Sequence, residues 1–242
     1  MISGFRKLPS HEKFLQNQNI YAIAKNLNKG FASTIVLDLD DTVLYRKNHF
    51  LDSLALYCLP HAIWSVGVPY SDAISSIKSL ASNFRIVAVT ARWHMAASNT
   101  EKWFEEHSLT GLPLITATRP HPGDTSRIEF KSNAIKSLSD DGWDPIIGVG
   151  DRPSDMASYV SQGMEAIMVL HHPNSIETTA QKLTKMHTQL QSTRKESIKV
   201  TYVSCRNIES MLVPGATQLV ASNGDVWKKV VEHINTPMKS GK

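Results

Sequence analysis

Five short apolar runs constrain this chain more than any other feature. They are Ile35–Asp40 (IVLDLD), Arg85–Thr90 (RIVAVT), Ile146–Gly150 (IIGVG), Ala166–Leu170 (AIMVL) and the less regular Leu112–Thr116 (LPLIT). Each has the length of a strand and, apart from the two acids that end the first, none shows the polar alternation of a half-exposed one. Such runs belong to strands covered on both faces, as in a parallel sheet between two helical layers. Helical patterns lie between them. Ser71–Asn83 places Ala73, Ile74, Ile77 and Leu80 on one face, and Ser98 to Glu101 has the spacing of a capping box ahead of Trp103 and Phe104. Ser132–Leu138 and Asp155–Ser161 are shorter, the latter with Met156, Tyr159 and Val160 on one face and Gly163 beyond it as a C-terminal cap. Strand and helix alternating in this way predict a doubly wound, mostly parallel α/β sheet.

Such sheets bind ligands beyond the carboxyl ends of their strands, and that is where the polar residues of interest fall. Asp38-Leu39-Asp40-Asp41-Thr42 is a D-x-D-x-T string directly after the first run. Two residues apart in a strand, Asp38 and Asp40 would share a side. Two converging acids need compensation, and a hard divalent cation such as Mg²⁺, which takes carboxylate and phosphate oxygens, supplies it. A solvated turn after a strand would carry the same string, so the other strand ends have to decide. Thr90 closes RIVAVT with a hydroxyl, Lys131 follows Phe130 at the expected start of a helix, and Gly150-Asp151-Arg152-Pro153-Ser154-Asp155 closes IIGVG with two further acids.

These motifs, in this order and on strand ends, resemble those of the haloacid dehalogenase superfamily, over roughly residues 34–173. The resemblance implies a Rossmann-like core and a Mg²⁺-dependent phosphatase acting on a phosphomonoester. It makes Asp38 the nucleophile that forms an aspartyl-phosphate, and Asp40 the acid that protonates the leaving oxygen and then deprotonates water. Asp38, Asp151 and the backbone carbonyl of Asp40 would hold the metal, with Asp155 orienting that shell. Thr90 and Lys131 would hold the phosphoryl oxygens, with Arg92 as a further substrate contact. An acid at Asp40 suits ester cleavage and not halide displacement, which needs no proton on its leaving group. Thr90-Ala91-Arg92, the helix through Asn99 to Trp103, Phe130-Lys131 and the Gly150–Asp155 string also look like the phosphatase domain of lipin-type phosphatidate phosphatases. Those domains usually have Gly where this chain has Asp41, and Asn where it has Asp151 or Ser154.

Only 43 residues separate Thr42 from Arg85 and 40 separate Ala91 from Lys131, so little or no cap domain is expected, at most a small lid over His49–Val66. An open site favours a large phosphorylated substrate. The expected organisation is an N-terminal basic, amphipathic extension (1–33), a catalytic core (34–173) and a C-terminal extension packed on that core (174–242). Residues 14–29 read as an amphipathic helix through Ile20, Ile23, Ala24 and Leu27, either packed on the core or serving as a targeting or membrane-surface segment. Ile176, Leu183, Met186 and Leu190 suggest a surface helix, Ile198–Cys205 a strand, and Asp225–Ile234 a terminal helix with Val226, Trp227, Val230, Val231 and Ile234 inward. His171-His172 reads as a loop or a pair of metal ligands.

The net charge of +4 is unevenly spread: 1–33 holds five Lys/Arg and one acid, 174–242 ten and five, and 34–173 eleven and sixteen. An acidic centre suits a metal-binding carboxylate cluster, while basic ends suit either a solvated surface or a phosphate-rich partner. No aromatic-rich basic motif points to nucleic acid. Cys58 and Cys205 form no paired pattern, and no apolar stretch reaches spanning length. A soluble intracellular protein is expected, with a peripheral membrane contact left open and its oligomeric state unspecified. The rival reading is a non-catalytic module of the same fold that binds phosphorylated lipid or protein.

Overall fold

The computed structural model describes residues 20–23, 33–46, 67–118, 121, 123–171, 200–205, 217–221 and 225–236. In chain order the strands are β1 (Ile20–Ile23), β2 (Ser33–Leu37), β3 (Leu44–Arg46), β4 (Gly67–Pro69), β5 (Arg85–Trp93), β6 (Leu114–Ala117), β7 (Asp144–Gly150), β8 (Glu165–Leu170), β9 (Val200–Ser204) and β10 (Thr217–Val220). The helices are α1 (Ala73–Leu80), α2 (Ala97–Glu106), α3 (Asp124–Asp140), α4 (Pro153–Ser161) and α5 (Val226–Asn235).

Eight strands form one sheet in the order β1-β6-β5-β2-β7-β8-β9-β10. All pairs are parallel except β1 with β6, so seven strands run one way. This is a Rossmann-like α/β fold. β2 lies between β5 and β7, where successive crossovers turn to opposite sides, and a crevice opens at such a point. Alternation along β2 sends Val36 to one face, where Phe130, Ala134 and Leu138 of α3 and Met156 and Tyr159 of α4 cover it. Ile35 and Leu37 point to the other face, under Ile77 and Leu80 of α1, Trp103 and Phe104 of α2 and Trp227 and Val230 of α5. Both faces being dry explains why the strand sequences lack polar alternation.

Several local expectations change. The helix expected over 14–29 contains β1 instead. Ile20-Tyr21-Ala22-Ile23 is apolar enough to serve either periodicity, and pairing with the open edge of β6 satisfies its backbone groups. Ser98 does not cap α2, which begins at Ala97 behind the 3₁₀ turn His94–Ala96. Half of such an arrangement is found at the start of α4 instead, where the Asp155 carboxylate accepts the Arg152 N–H. α3 begins at Asp124, so Lys131 sits inside a 17-residue helix and does not open it. β3 and β4 form an unforeseen antiparallel pair directly after the acidic string. β9 and α5 fall where the sequence placed a strand and a terminal helix, and β10, which had no signal, joins β9 in parallel. His49–Val66, the 176–190 pattern, Cys58 and His172 lie outside the described residues. Among the described residues no helix is long and apolar enough to cross a membrane.

Candidate active site

Asp38 is the first residue past β2, and its N–H still donates to the carbonyl of Val149 in β7 at 2.9 Å. Ladder pairing therefore continues one residue beyond the strand, and alternation turns the Asp38 carboxylate to the face of Val36, under α3 and α4. From α3, Lys131 reaches the same point. Its Nζ donates to Asp38 Oδ1 at 2.6 Å and to Asp155 Oδ1 at 2.5 Å, with Asp38, Lys131 and Asp155 all at least 95% buried. Lys136, the alternative in the same helix, is exposed.

Asp155 is held from both sides. Its Oδ2 accepts the N–H of Arg152 at 3.1 Å, satisfying a backbone donor at the start of α4. A Cβ on Gly150 would stand 2.7 Å from that same oxygen, so the glycine of the G-D-x-x-x-D string is the space the carboxylate fills. Asp151, from the end of β7, accepts the Thr42 hydroxyl on Oδ1 at 3.1 Å, and Asp38 Oδ2 lies 3.4 Å from that hydroxyl. The turn that brings Thr42 back is tight: the N–H groups of Thr42, Val43 and Leu44 all reach the carbonyl of Leu39. It requires Asp41 at φ 61°, a left-handed conformation that aspartate tolerates better than most residues.

Two of the acids, Asp38 and Asp155, thus share one ammonium, with Asp151 beside them. Burial drives Asp38 up to about 6, with Asp155 and Asp40 adding to the push and Lys131 opposing it. Burial, then the charges of Asp155 and Asp38, raise Asp151 well above the ordinary carboxylate range. Burial works against the charge on Lys131, but Asp155 and Asp38 outweigh it and hold the amine protonated. One oxygen from each of Asp38, Asp151 and Asp155 can be chosen so that all three lie within 4.8 Å of one another. A hard divalent cation fits this donor set, since it binds carboxylate oxygen and removes the repulsion that drives these groups toward protonation. Both Asp155 oxygens are already engaged, which leaves Asp38 Oδ2 and Asp151 as the donors with most spare capacity.

A second group forms beside the first. Within a register shift between Thr90 and Trp93, β5 turns Arg92 onto Asp40. Nε and Nη2 of Arg92 hold Asp40 Oδ2 and Oδ1 at 3.0 and 2.7 Å, Nη1 donates to Thr100 of α2 at 3.0 Å, and the Arg92 N–H reaches the Thr90 hydroxyl at 3.4 Å. Asp38, Lys131 and Asp155 are therefore joined directly and Asp151 through the Thr42 hydroxyl, whereas Asp40, Thr90 and Arg92 form a neighbouring set. The two are coupled through the push of Asp40 on Asp38. Arg92, expected at the substrate, lies buried against Asp40 and Thr100.

Sequence reasoning gave no role to Arg152, which stands 3.9 Å from both Asp41 and Asp151 with its side chain 43% exposed, a cation at the open side of the site. It also missed Thr100, and it gave Thr42 no role. His171, a candidate metal ligand, instead donates from Nε2 to the Thr42 carbonyl at 3.0 Å and stacks on Tyr70 at 3.5 Å between ring centroids. No spacing rule could have revealed these, because each depends on which loops the sheet brings together.

No family model matches this chain, and no curated protein matches it. Among solved structures, it is similar to a haloacid dehalogenase-like family hydrolase from Streptococcus pneumoniae, at 12% identity and a TM-score of 0.43, over 74% of this chain and 96% of that one. It is likewise similar to a chain of the Pnkp1/Rnl/Hen1 RNA repair complex, at 11% identity and a TM-score of 0.43, over 60% of this chain. The match spans less than half, 45%, of that second chain.

Proposed function

We propose that this chain is a Mg²⁺-dependent phosphohydrolase that cleaves a phosphomonoester through an aspartyl-phosphate on Asp38. The observation that carries the reading is the convergence of Asp38, Asp151, Asp155 and Lys131 at the carboxyl ends of β2 and β7. The motif resemblance to the haloacid dehalogenase superfamily supports it independently of that geometry.

Asp38, Asp151 and the main-chain carbonyl of Asp40 would hold Mg²⁺, with Asp155 orienting them; when bound, the ion offsets charge on the carboxylates and phosphoryl oxygens. An oxygen of Asp38 attacks phosphorus, and the ester P–O bond breaks as Asp40 gives its proton to the leaving oxygen. Asp40 then takes a proton from water, whose oxygen attacks phosphorus and breaks the bond to Asp38. Inorganic phosphate and the alcohol are released. Each Asp40 oxygen keeps a second lone pair beyond the one used by Arg92, so the carboxyl can carry a proton while held in place. Lys131, Thr90 and the exposed Arg152 face the phosphoryl charge, and Arg92 acts through Asp40.

Phosphate release from an aryl phosphate and a panel of phosphorylated metabolites, with and without Mg²⁺, tests the reading. Wild-type protein should release phosphate only with the metal, and Asp38→Asn should abolish turnover while keeping its melting temperature within a few degrees. No release from any compound, alongside tight binding to anionic liposomes, would favour the non-catalytic module instead.

A further inference from the structure

Thr42 presents two faces to the molecule. Its hydroxyl touches both Asp151 and Asp38, while its carbonyl accepts two ring N–H groups, Trp227 Nε1 at 3.0 Å and His171 Nε2 at 3.0 Å. Trp227 belongs to α5, 185 residues further along the chain, and is completely buried. A carbonyl oxygen has two lone pairs, and here both are used. Rotating the peptide after Thr42 would break two bonds at once, one of them from a buried indole that has no water to turn to. The neighbouring carbonyl of Val43 is held as well, by the N–H of Tyr70 at 3.0 Å. The acidic turn is thus fixed from behind by a helix that carries no catalytic motif.

Building on the phosphohydrolase reading, we propose that Trp227 is a positioning residue of the metal site: its indole N–H holds the Thr42 carbonyl so that the Thr42 hydroxyl stays on Asp151 and Asp38. The chain contains its own control. Trp103 is also buried in the same apolar layer, and its Nε1 donates to the carbonyl of Gly67 at 2.7 Å, a bond of the same kind to β4, a strand that carries none of the acids.

The test compares Trp227→Phe, Trp103→Phe, Thr42→Val and the Trp227→Phe/Thr42→Val double variant in the full chain. Mg²⁺ affinity is read from the rise in melting temperature across a Mg²⁺ titration, and kcat and KM are measured on an aryl phosphate. Loss of one hydrogen bond to a positioned group should weaken Mg²⁺ binding about 3- to 10-fold in Trp227→Phe and lower kcat by a similar factor. KM should stay within about twofold, on the principle that transition-state and ground-state interactions separate in kcat and KM. Trp103→Phe should lower the melting temperature without changing either quantity. If Trp227 acts through the Thr42 hydroxyl, its replacement should add nothing in the Thr42→Val background. Additive effects in that cycle, or equal Mg²⁺ affinity in wild type and Trp227→Phe, would overturn the proposal, as would failure of wild type to bind Mg²⁺. Should Trp227→Phe not fold, ¹⁵N-indole spectra of the wild type decide: Mg²⁺ should shift the Trp227 signal and leave Trp103 in place, and an unmoved Trp227 signal refutes the coupling. Wild type that binds Mg²⁺ and releases no phosphate would refute the hydrolase reading while leaving the positioning role to be judged on Mg²⁺ affinity.

Discussion

Replacing Lys131 by Met keeps the length of the side chain and deletes the charge at the centre of the acidic cluster. At an effective dielectric of about 20, each contact of 2.5–2.6 Å to Asp38 and Asp155 corresponds to about 6 kcal/mol of attraction, against a desolvation cost of several kcal/mol per ion. What remains after that offset is the usual penalty for removing one partner of a buried pair, about 3–5 kcal/mol. For a chain of this size 1 kcal/mol moves the melting temperature by about 2–4 °C, so Lys131→Met should melt roughly 6–20 °C lower. Turnover should fall by about three orders of magnitude, equivalent to about 4 kcal/mol of transition-state stabilisation. Mg²⁺ should raise the melting temperature of the variant by more than that of wild type, because the added cation meets carboxylates that have lost their ammonium and no longer repels one. Lys136→Ala, on the exposed side of the same helix, should melt and turn over as wild type does. Calorimetry with and without Mg²⁺, together with phosphate-release kinetics, measures all of this. A Lys131→Met protein with wild-type turnover, or a greater loss in Lys136→Ala, would refute the reasoning.

Three further substitutions test other parts of the structure. Arg92→Lys keeps the charge but loses the two-pronged grip on Asp40, so kcat should fall about 10- to 100-fold with KM nearly unchanged; a rise in KM alone would return Arg92 to the substrate. Gly148→Ala drives a methyl group into the ring of Tyr159, which α4 lays flat on β7, and should cost about 1–3 kcal/mol in chemical denaturation. Asp141 closes the carboxyl end of α3, where a negative charge is unfavourable, and its Oδ2 is buried without a hydrogen-bond partner; burial, with Asp140 beside it, lifts its carboxyl to about 6. The folded state therefore holds the Asp141 proton more tightly than the unfolded chain, so ionisation costs stability as pH rises from about 4 to about 6. Asp141→Asn should melt higher than wild type at pH 7, and the gain should vanish below about pH 4.

The sequence carried the sheet and the acids because each depends on local rules. Ile35-Val36-Leu37, one of several such runs alternating with helical patterns, reads as a strand buried on both faces, and residues just past such strands in a doubly wound sheet reach the crevice. Lys131 was singled out because it follows Phe130 as in the motif and was expected to open a helix; it reaches the acids from inside α3 instead, on the side that Phe130, Ala134 and Leu138 turn to the sheet. The start of α3 was not legible, since Asp124-Thr125-Ser126-Arg127 has no apolar periodicity; its support is polar, with Asp124 in the first turn paired to Arg127. The strand β1 was misjudged because four apolar residues satisfy either period, and the deciding factor was the free edge of β6. Arg92 shows the limit most clearly. Its place after Thr90 suggested a substrate contact, yet the register shift in β5 aims it at Asp40 and Thr100, and nothing in its own neighbourhood of sequence specifies that shift. Trp227 is the same case at longer range. Its helical pattern predicted burial, but the acceptor for its N–H is a carbonyl 185 residues away, chosen when β9 and β10 carry α5 back across the sheet. The placing of polar residues at strand ends is thus readable one motif at a time, whereas the bonds that hold those residues still are made by elements that share no motif with them. It follows that substitutions in the C-terminal helix should be the ones that alter the site without altering any residue recognisable as part of it.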